Sequence, residues 1–289
     1  MNIIILIPVF NDFKSASKLI EEIDVNISDL NFSFSVIVVN DASTEEKMLE
    51  TKNLNNIKSL KLINMRNNRG HARCIATGLK HISENENFDY IIPMDGDGED
   101  RPEEIKNFIE KIKNNPNRTI VGERIKRSES FIFKICYFLH KIITYTFTGK
   151  FIKFGNYTCL TKKTVKKLIE EKATWSSFSG SLAKTEINLI KSPSIRGSRY
   201  FGPSKMSFLN LINHSLAIIA VFKAGAIFRS IAFYAIYLII IAEYISIITA
   251  IPLALIIIFG LVILKISGRE NINEFNNSLT NIHNIEKVK

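Results

Sequence analysis

Ile3-Ile4-Ile5-Leu6-Ile7-Pro8-Val9 runs without a polar residue into Phe10-Asn11-Asp12. A strand with one wet face alternates apolar and polar residues. An unbroken apolar run that stops at polar ones therefore reads as a strand buried on both faces of a parallel sheet. Shorter runs of the same kind recur at residues 36–39, 60–63 and 90–94, and residues 14–27 and 71–82 carry apolar side chains at helical spacing. That alternation is a βαβ series, so the expected fold class is α/β: a Rossmann-like, mostly parallel sheet with flanking helices. Ligands of such sheets bind beyond the carboxyl ends of the strands. This nominates Asn11 and Asp12, Asp41, and Asp95 with Asp97 as site residues.

Further along, residues 103–112 read as a surface helix, 119–122 as a strand and 165–171 as another helix. Residues 131–147 read as an amphipathic helix, too polar at Lys134, His140 and Lys141 to span a membrane. Residues 196–205 form a basic, Gly-containing loop leading into a segment, 208–222, expected to lie along a membrane surface. Residues 228–247 and 251–266 are apolar stretches near the roughly 20 residues a helical span needs. Lys223 and Arg229 flank the first and Lys265 and Arg269 the second, which places both outer ends on the cytoplasmic side. Glu243, with Pro252 nearby, reads as a turn position on the far side. The expected organisation is a domain at 1–207, a juxtamembrane amphipathic helix at 208–227, two transmembrane helices at 228–266 and a polar cytoplasmic tail at 267–289. Its Asn-rich composition makes that tail a solvated extension on this reading.

Charge and cysteine usage narrow the function classes. A formal net charge of +10 in 289 residues suits nucleic acid, an anionic lipid surface or phosphorylated substrates, and the adjacent apolar hairpin favours the last two over nucleic acid. The three cysteines, Cys74, Cys136 and Cys159, have neither a CxxC partner nor a nearby His, so neither zinc nor a disulfide framework is indicated. The first residues lack a basic segment before a long apolar core, so no signal peptide is expected and the N-terminal domain is expected to stay cytoplasmic.

Asp95-Gly96-Asp97-Gly98-Glu99 places three acids at alternate positions just past a buried strand. Oxygens aimed at one small volume suit Mg²⁺ or Mn²⁺. The structural alternative is an acidic turn capping the next helix. A calcium loop is excluded, because Asp100 and Lys106 stand where an EF-hand counted from Asp95 needs Gly and Glu.

Taken together, Ile7-Pro8-Val9-Phe10-Asn11-Asp12, Val38-Val39-Asn40-Asp41-Ala42-Ser43, Asn68-Arg69-Gly70 with Gly78, and Asp95 to Glu99 resemble family 2 glycosyltransferases in order and spacing. Arg199-Tyr200-Phe201-Gly202-Pro203-Ser204-Lys205, followed by an apolar hairpin, looks like the dolichol-phosphate mannose synthase and bacterial polyprenyl-phosphate glycosyltransferase branch. The resemblance covers most of residues 2–210 and implies a GT-A fold. It further implies that Pro8, Phe10, Asn11, Asp12, Asp41, Gly70 and Asp95 bind a nucleotide-sugar, with Asp12 where Glu is usual and Asn40 where an Asp is common. By the same resemblance Asp95, Asp97 and Glu99 centre on a metal, Mg²⁺ or Mn²⁺, with Glu99 in place of a Gln. Arg124, Ser204 and Lys205 contact acceptor or donor phosphate, and Arg199 joins that cationic clamp as a catalytic residue beside Asp97.

At Asn156 the family segment often carries an Asp with a base-like role. An amide accepts no proton, yet an ionised phosphate acceptor requires no general base. The implied function is inverting transfer of a hexose from a UDP- or GDP-sugar to polyprenyl phosphate, by an integral protein of the bacterial inner membrane with its catalytic domain and C-terminus cytoplasmic. A hydroxyl of a lipid-linked glycan or lipopolysaccharide is the alternative acceptor, and a non-catalytic membrane scaffold is the alternative of a different class. A homo-oligomer is left open. His71 and Trp175 are assigned to packing.

Overall fold

The computed structural model describes residues 1–45, 49–51, 53–126, 131–202 and 208–289. In chain order the elements are β1 (Asn2–Val9), α1 (Phe13–Asn26), β2 (Ser33–Asn40), β3 (Ile57–Met65), α2 (His71–Asn85), β4 (Tyr90–Pro93), α3 (Ile105–Asn114), β5 (Ile120–Lys126), α4 (Phe131–Thr148), β6 (Phe154–Thr161) and α5 (Lys162–Glu170). There follow α6 (Phe178–Thr185), β7 (Ile190–Ile195), α7 (Phe208–Val221), α8 (Lys223–Ile240), α9 (Ile247–Ser267), α10 (Ile272–Asn276) and β8 (Ile282–Lys287).

The strands form one mixed sheet in the order β7-β5-β6-β4-β1-β2-β3-β8. β4, β1, β2 and β3 are parallel neighbours, as are β5 and β7, while β6 and β8 run antiparallel to their neighbours. This is the mostly parallel α/β sheet expected from the apolar runs. β1 is paired on both edges and sends alternate residues into two apolar layers. Ile3, Ile5 and Ile7 join Leu19, Ile20 and Ile23 of α1 and Phe108 and Ile112 of α3. Ile4 and Leu6 join Ile75 and Leu79 of α2, Leu168 of α5 and Leu182 of α6. Gly78 lets α2 approach closely, because a Cβ there would lie 2.5 Å from Leu6 Cδ1 and 3.2 Å from Val39 Cγ2.

α7, α8 and α9 share a small apolar cluster of their own, built from Ala217, Ile219, Ala220, Ala226, Ile263 and Ile266. By length and composition α8 and α9 are each apolar enough to cross a membrane. They leave Phe228, Ile231, Ile239, Ile248, Leu255 and Leu261 exposed. The break between them comes earlier than the apolar runs suggest. The Ser246 side chain caps Thr249 N and Thr249 caps Ser246 N in return, so α9 starts at Ile247. Glu243 lies in the intervening turn, as expected.

The expectation that residues after Ser267 form a solvated extension is corrected. α10 docks on α2, and β8 pairs antiparallel with β3 in the register Ile63↔Ile285 and Asn64↔Asn284. Phe275 is fully buried and stacks on Trp175 with ring centroids 5.5 Å apart, and Trp175 Nε1 donates to Glu274 Oε2 at 3.0 Å. An unpaired β3 edge would present open backbone donors and acceptors, and β8 satisfies them. The Asn content concealed an edge strand held by its backbone pairing, whose residues after Ile282 are all exposed.

Phe275→Ala is expected to destabilise the protein by about 3–5 kcal/mol, the usual cost of emptying a buried phenylalanine site. Trp175 is the chain's single tryptophan, so the lost stack should also red-shift the intrinsic fluorescence, and unchanged emission would show that α10 does not dock there.

Candidate active site

The loops leaving β1, β2 and β4 meet at the carboxyl end of the sheet. Pro8 is buried in β1 with its carbonyl against Gly96, whereas Phe10 is exposed at the rim. Asn11 takes a left-handed conformation (φ 51°) that is held from the next loop: its N donates to Ser43 Oγ at 2.9 Å, and its Oδ1 accepts from Thr44 N at 2.8 Å. Asp41 is buried, and its two carboxylate oxygens accept from Arg69 N and Gly70 N, each at 2.8 Å. Burial raises the Asp41 pKa, and those two N–H bonds offset part of the rise. Gly70 (φ 91°) takes the left-handed turn that starts α2, so Asp41 braces this turn, consistent with its reading as a turn residue. The two loops thus hold one another by hydrogen bonds, and Asp12, the last residue before α1, is carried on them.

The acidic loop after β4 is crossed by residues 196–202. Gly197 N donates to Glu99 O at 2.8 Å and Tyr200 N to Asp97 O at 3.0 Å, while the Tyr200 ring lies against Gly98 and its hydroxyl donates to Glu22 Oε2 at 2.5 Å. Arg199 donates through Nη1 to Asp97 Oδ2 at 2.6 Å and through Nη2 to Asp12 Oδ2 at 2.5 Å. Arg196 pairs with Glu99. Asp95 instead faces the opposite side, where its Oδ1 accepts from Asn156 Nδ2 at 3.1 Å and lies 3.2 Å from His71 Nε2. Asn156 Nδ2 and His71 Nε2 are 2.7 Å apart.

The expected metal trio is corrected accordingly. Asp95, Asp97 and Glu99 do not converge: each faces a different cationic or amide partner, and among the described residues no three acidic, His or Cys side chains are grouped around one point. Asp97 and Asp12 are the carboxylates that share a cation. His71, assigned to packing from the sequence, instead meets Asp95 and Asn156. Its place directly after Gly70, at the first turn of a helix opening onto the site, is the signal that could have found it. The Arg124 side chain lies over Gly155, its guanidinium about where a Gly155 side chain would begin, and that guanidinium has no hydrogen-bond partner among the described residues. Ser204 and Lys205 lie outside the described residues.

Crowding Asp95, Asp97 and Asp100 at one sheet end separates their titrations. Burial would raise Asp95, but His71, Asn156 and Arg124 hold it well below the ordinary carboxylate range. Burial and the Asp95 charge push Asp97 up to about 6 against the pull of Arg199 and Arg196. Asp100, which accepts from Asp95 N at 3.0 Å, is pushed up to about 8 by burial and by Asp95. Burial lowers His71, and Asp95 more than compensates, so its pKa is raised.

Residues 4–164 match the model for Glycosyl transferase family 2. The chain belongs to that family. Its relatives include the undecaprenyl-phosphate 4-deoxy-4-formamido-L-arabinose transferases of Klebsiella pneumoniae (strain 342), 26% identical over 217 residues, and of Salmonella choleraesuis (strain SC-B67), 26% identical over 219 residues. Each alignment covers 72% of this chain and 64% of the relative, so the family 2 chain spans under two thirds of their length. Among solved structures, glucosyl-3-phosphoglycerate synthase from Mycobacterium tuberculosis, in complex with Mn²⁺, UDP and phosphoglyceric acid, aligns over 78% of each chain with a TM-score of 0.55 and 11% identity. Its complex with Mn²⁺, UDP-glucose and phosphoglyceric acid aligns over 78% of this chain and 79% of that one with a TM-score of 0.52. These likenesses are of fold, and the fold is the GT-A type implied by the motifs.

Asp100 supplies a pH test. Its folded pKa is raised, so the stability linked to its proton is full below the ordinary carboxylate pKa and is lost as pH rises through about 8. Asp97 contributes in the same direction. Metal-free protein is therefore expected to melt at lower temperature as pH rises from about 5 to about 8, and Asp100→Asn to flatten that fall. Equal slopes in wild type and variant would refute the protonated Asp100.

Proposed function

We propose that this family 2 chain is a membrane-anchored, metal-dependent hexosyltransferase that moves a hexose, with inversion, from a UDP- or GDP-sugar to polyprenyl phosphate at the cytoplasmic face. The observation that carries the reading is the pair Asp12 and Asp97, held 2.5 and 2.6 Å from one guanidinium at the carboxyl end of the sheet. Two hard carboxylates around a single cationic position fit Mg²⁺ or Mn²⁺, which proteins commonly hold through one or two carboxylates and the phosphates of a bound nucleotide rather than in an all-protein cage. Asp97, with Asp12 beside it, would hold the ion. When bound it would neutralise the charge growing on the departing nucleoside diphosphate.

The remaining roles follow from the chemistry of the side chains. Phe10 and the braced loops bearing Asn11, Asp12, Asp41 and Gly70 would seat the nucleoside, with Pro8 and Asp95 beneath them. The Arg124 guanidinium, without a hydrogen-bond partner among the described residues, would take an acceptor phosphate, a bidentate contact that guanidinium makes well. Ser204 and Lys205 would extend that contact. Asn156 cannot take a proton, and its Nδ2 already serves Asp95. An acceptor that arrives as an ionised phosphate requires none to be taken, so the site's work is orientation and charge stabilisation. Arg199 would stabilise the diphosphate once released from the two acids.

The membrane part of the reading is supported by the exposed apolar faces of α8 and α9. β8 shares a sheet with the catalytic strands, so an even number of crossings must separate them. Two spans with both ends cytoplasmic satisfy this, and Lys223, Lys265 and Arg269 at the outer ends agree with it.

The test is transfer by the full chain in detergent with Mn²⁺ or Mg²⁺, a panel of UDP- and GDP-sugars, and undecaprenyl phosphate. A chloroform-soluble labelled product is expected. Asp97→Asn should lower its formation by about 10²–10³-fold, the scale of losing one preorganised electrostatic group, with the Trp175 fluorescence of the folded protein retained. Donor binding without lipid product would move the acceptor to a glycan hydroxyl, and full activity of Asp97→Asn would remove Asp97 from the metal.

A further inference from the structure

We infer that Glu286, on the C-terminal strand, is a positioning residue for the nucleoside pocket and acts through Asn64 and Asn40. The inference rests on the donor-pocket reading above. Three polar side chains form a relay across neighbouring strands: Glu286 Oε1 accepts from Asn64 Nδ2 at 2.7 Å, Asn64 Oδ1 accepts from Asn40 Nδ2 at 2.8 Å, and Asn40 Oδ1 accepts from Ser43 N at 2.9 Å. Asn40 and Asn64 are buried, and they are register neighbours on β2 and β3. The far end of the relay is the loop pair already described, since Ser43 Oγ accepts from Asn11 N and Asn11 Oδ1 from Thr44 N.

The direction of every bond in this relay is set by its first member. A carboxylate has only acceptor oxygens, so Glu286 requires the NH₂ group of Asn64. That turns the Asn64 carbonyl towards position 40, which must then supply a donor. Asn40 does so with its own NH₂, leaving its carbonyl to take Ser43 N. An aspartate at position 40 would oppose carboxylate to carbonyl. Flipping Asn64 would only move the clash to Glu286, leaving buried acceptors without donors either way. The resemblance places an Asp commonly at position 40, and the carboxylate contributed by β8 accounts for the Asn found here. The tail thus reaches the floor of the donor site from the far side of the apolar hairpin.

A double-variant cycle on the full-length chain in detergent tests this, with UDP and GDP titrated in the presence of Mn²⁺. Asn40→Asp alone is expected to weaken nucleotide binding about tenfold or more, the scale of one unmet buried hydrogen bond. Adding Glu286→Gln should restore it to within about twofold, because the glutamine amide can donate to Asn64 and reverse the whole relay while Ser43 N keeps its acceptor. In transfer assays the donor KM should carry the change and kcat at saturating donor should not. Glu286→Lys, at an exposed position, provides a variant expected to fold: a donor facing Asn64 forces both amides over, sets an NH₂ against Ser43 N, and should also weaken binding.

A double variant that binds no better than Asn40→Asp would overturn the inference. So would a Glu286→Lys variant that binds as wild type. Failure of the wild-type chain to bind UDP or GDP would instead sink the donor-pocket reading and the positioning role with it. The same cycle read in melting temperature would still show whether the three residues are coupled.

Discussion

β1 is buried on both faces and hydrogen-bonded on both edges, and the rest of the molecule is arranged around that constraint. A strand of this kind must be apolar along its length, so its polar chemistry is pushed to its end. There Asn11 and Asp12 leave the sheet beside Asp41 from β2 and Asp95 from β4, because parallel pairing in near-equal register brings the three carboxyl ends together. The site is the place where parallel strands stop being able to bury their residues, which is why open α/β sheets bind ligands at that edge. Gly78 belongs to the same constraint: β1 can be covered this closely only if the helix above it carries no side chain at the contact.

Gathering acids at one edge creates a second problem, mutual repulsion in a partly dry environment. The structure meets it with distinct partners. Arg199 spans Asp12 and Asp97, Arg196 takes Glu99, and His71 with Asn156 takes Asp95. Asp100 forms no ion pair among the described residues, and there the proton stays, which is what its upward shift expresses. A loop that delivers two arginines onto an acidic turn supplies two of these counter-charges at once.

These relations divide cleanly into what sequence patterns carry and what they do not. The βαβ core, the apolar hairpin and the gathering of Asn11, Asp12, Asp41, Asp95 and Asp97 at one sheet edge were legible, because buried strands write unbroken apolar runs and parallel topology fixes which residues follow them. The divergence of Asp95, Asp97 and Glu99 was not. Alternation along a loop suggests a shared direction only if the loop is extended, and here the residues 196–202 strap and the turn at Gly98 send the three side chains to different partners. The contacts of His71 were equally hidden, since helical spacing marks it as the start of a helix and says nothing of the strand opposite. The tail was misread for a compositional reason: an edge strand needs little hydrophobicity, and Ile282 and Ile285 among Asn and charged residues leave almost no periodic signal.

The tail matters beyond its own stability because of where it comes from. A strand contributed after two apolar helices can pair with β3 only once those helices have returned the chain to the side from which it left. Docking of α10 on Trp175 and of β8 on β3 therefore couples completion of the sheet to correct placement of the hairpin. The coupling is also directional. α2, against which α10 lies, begins at Gly70 and His71 inside the site, and β3, against which β8 lies, ends at Asn64 beneath the loops that follow β2. Two apolar helices joined to the sheet by a flexible linker alone would be free to turn against it. A return strand that is part of the sheet fixes α8 and α9 against it, so the acidic edge keeps one orientation relative to those two helices.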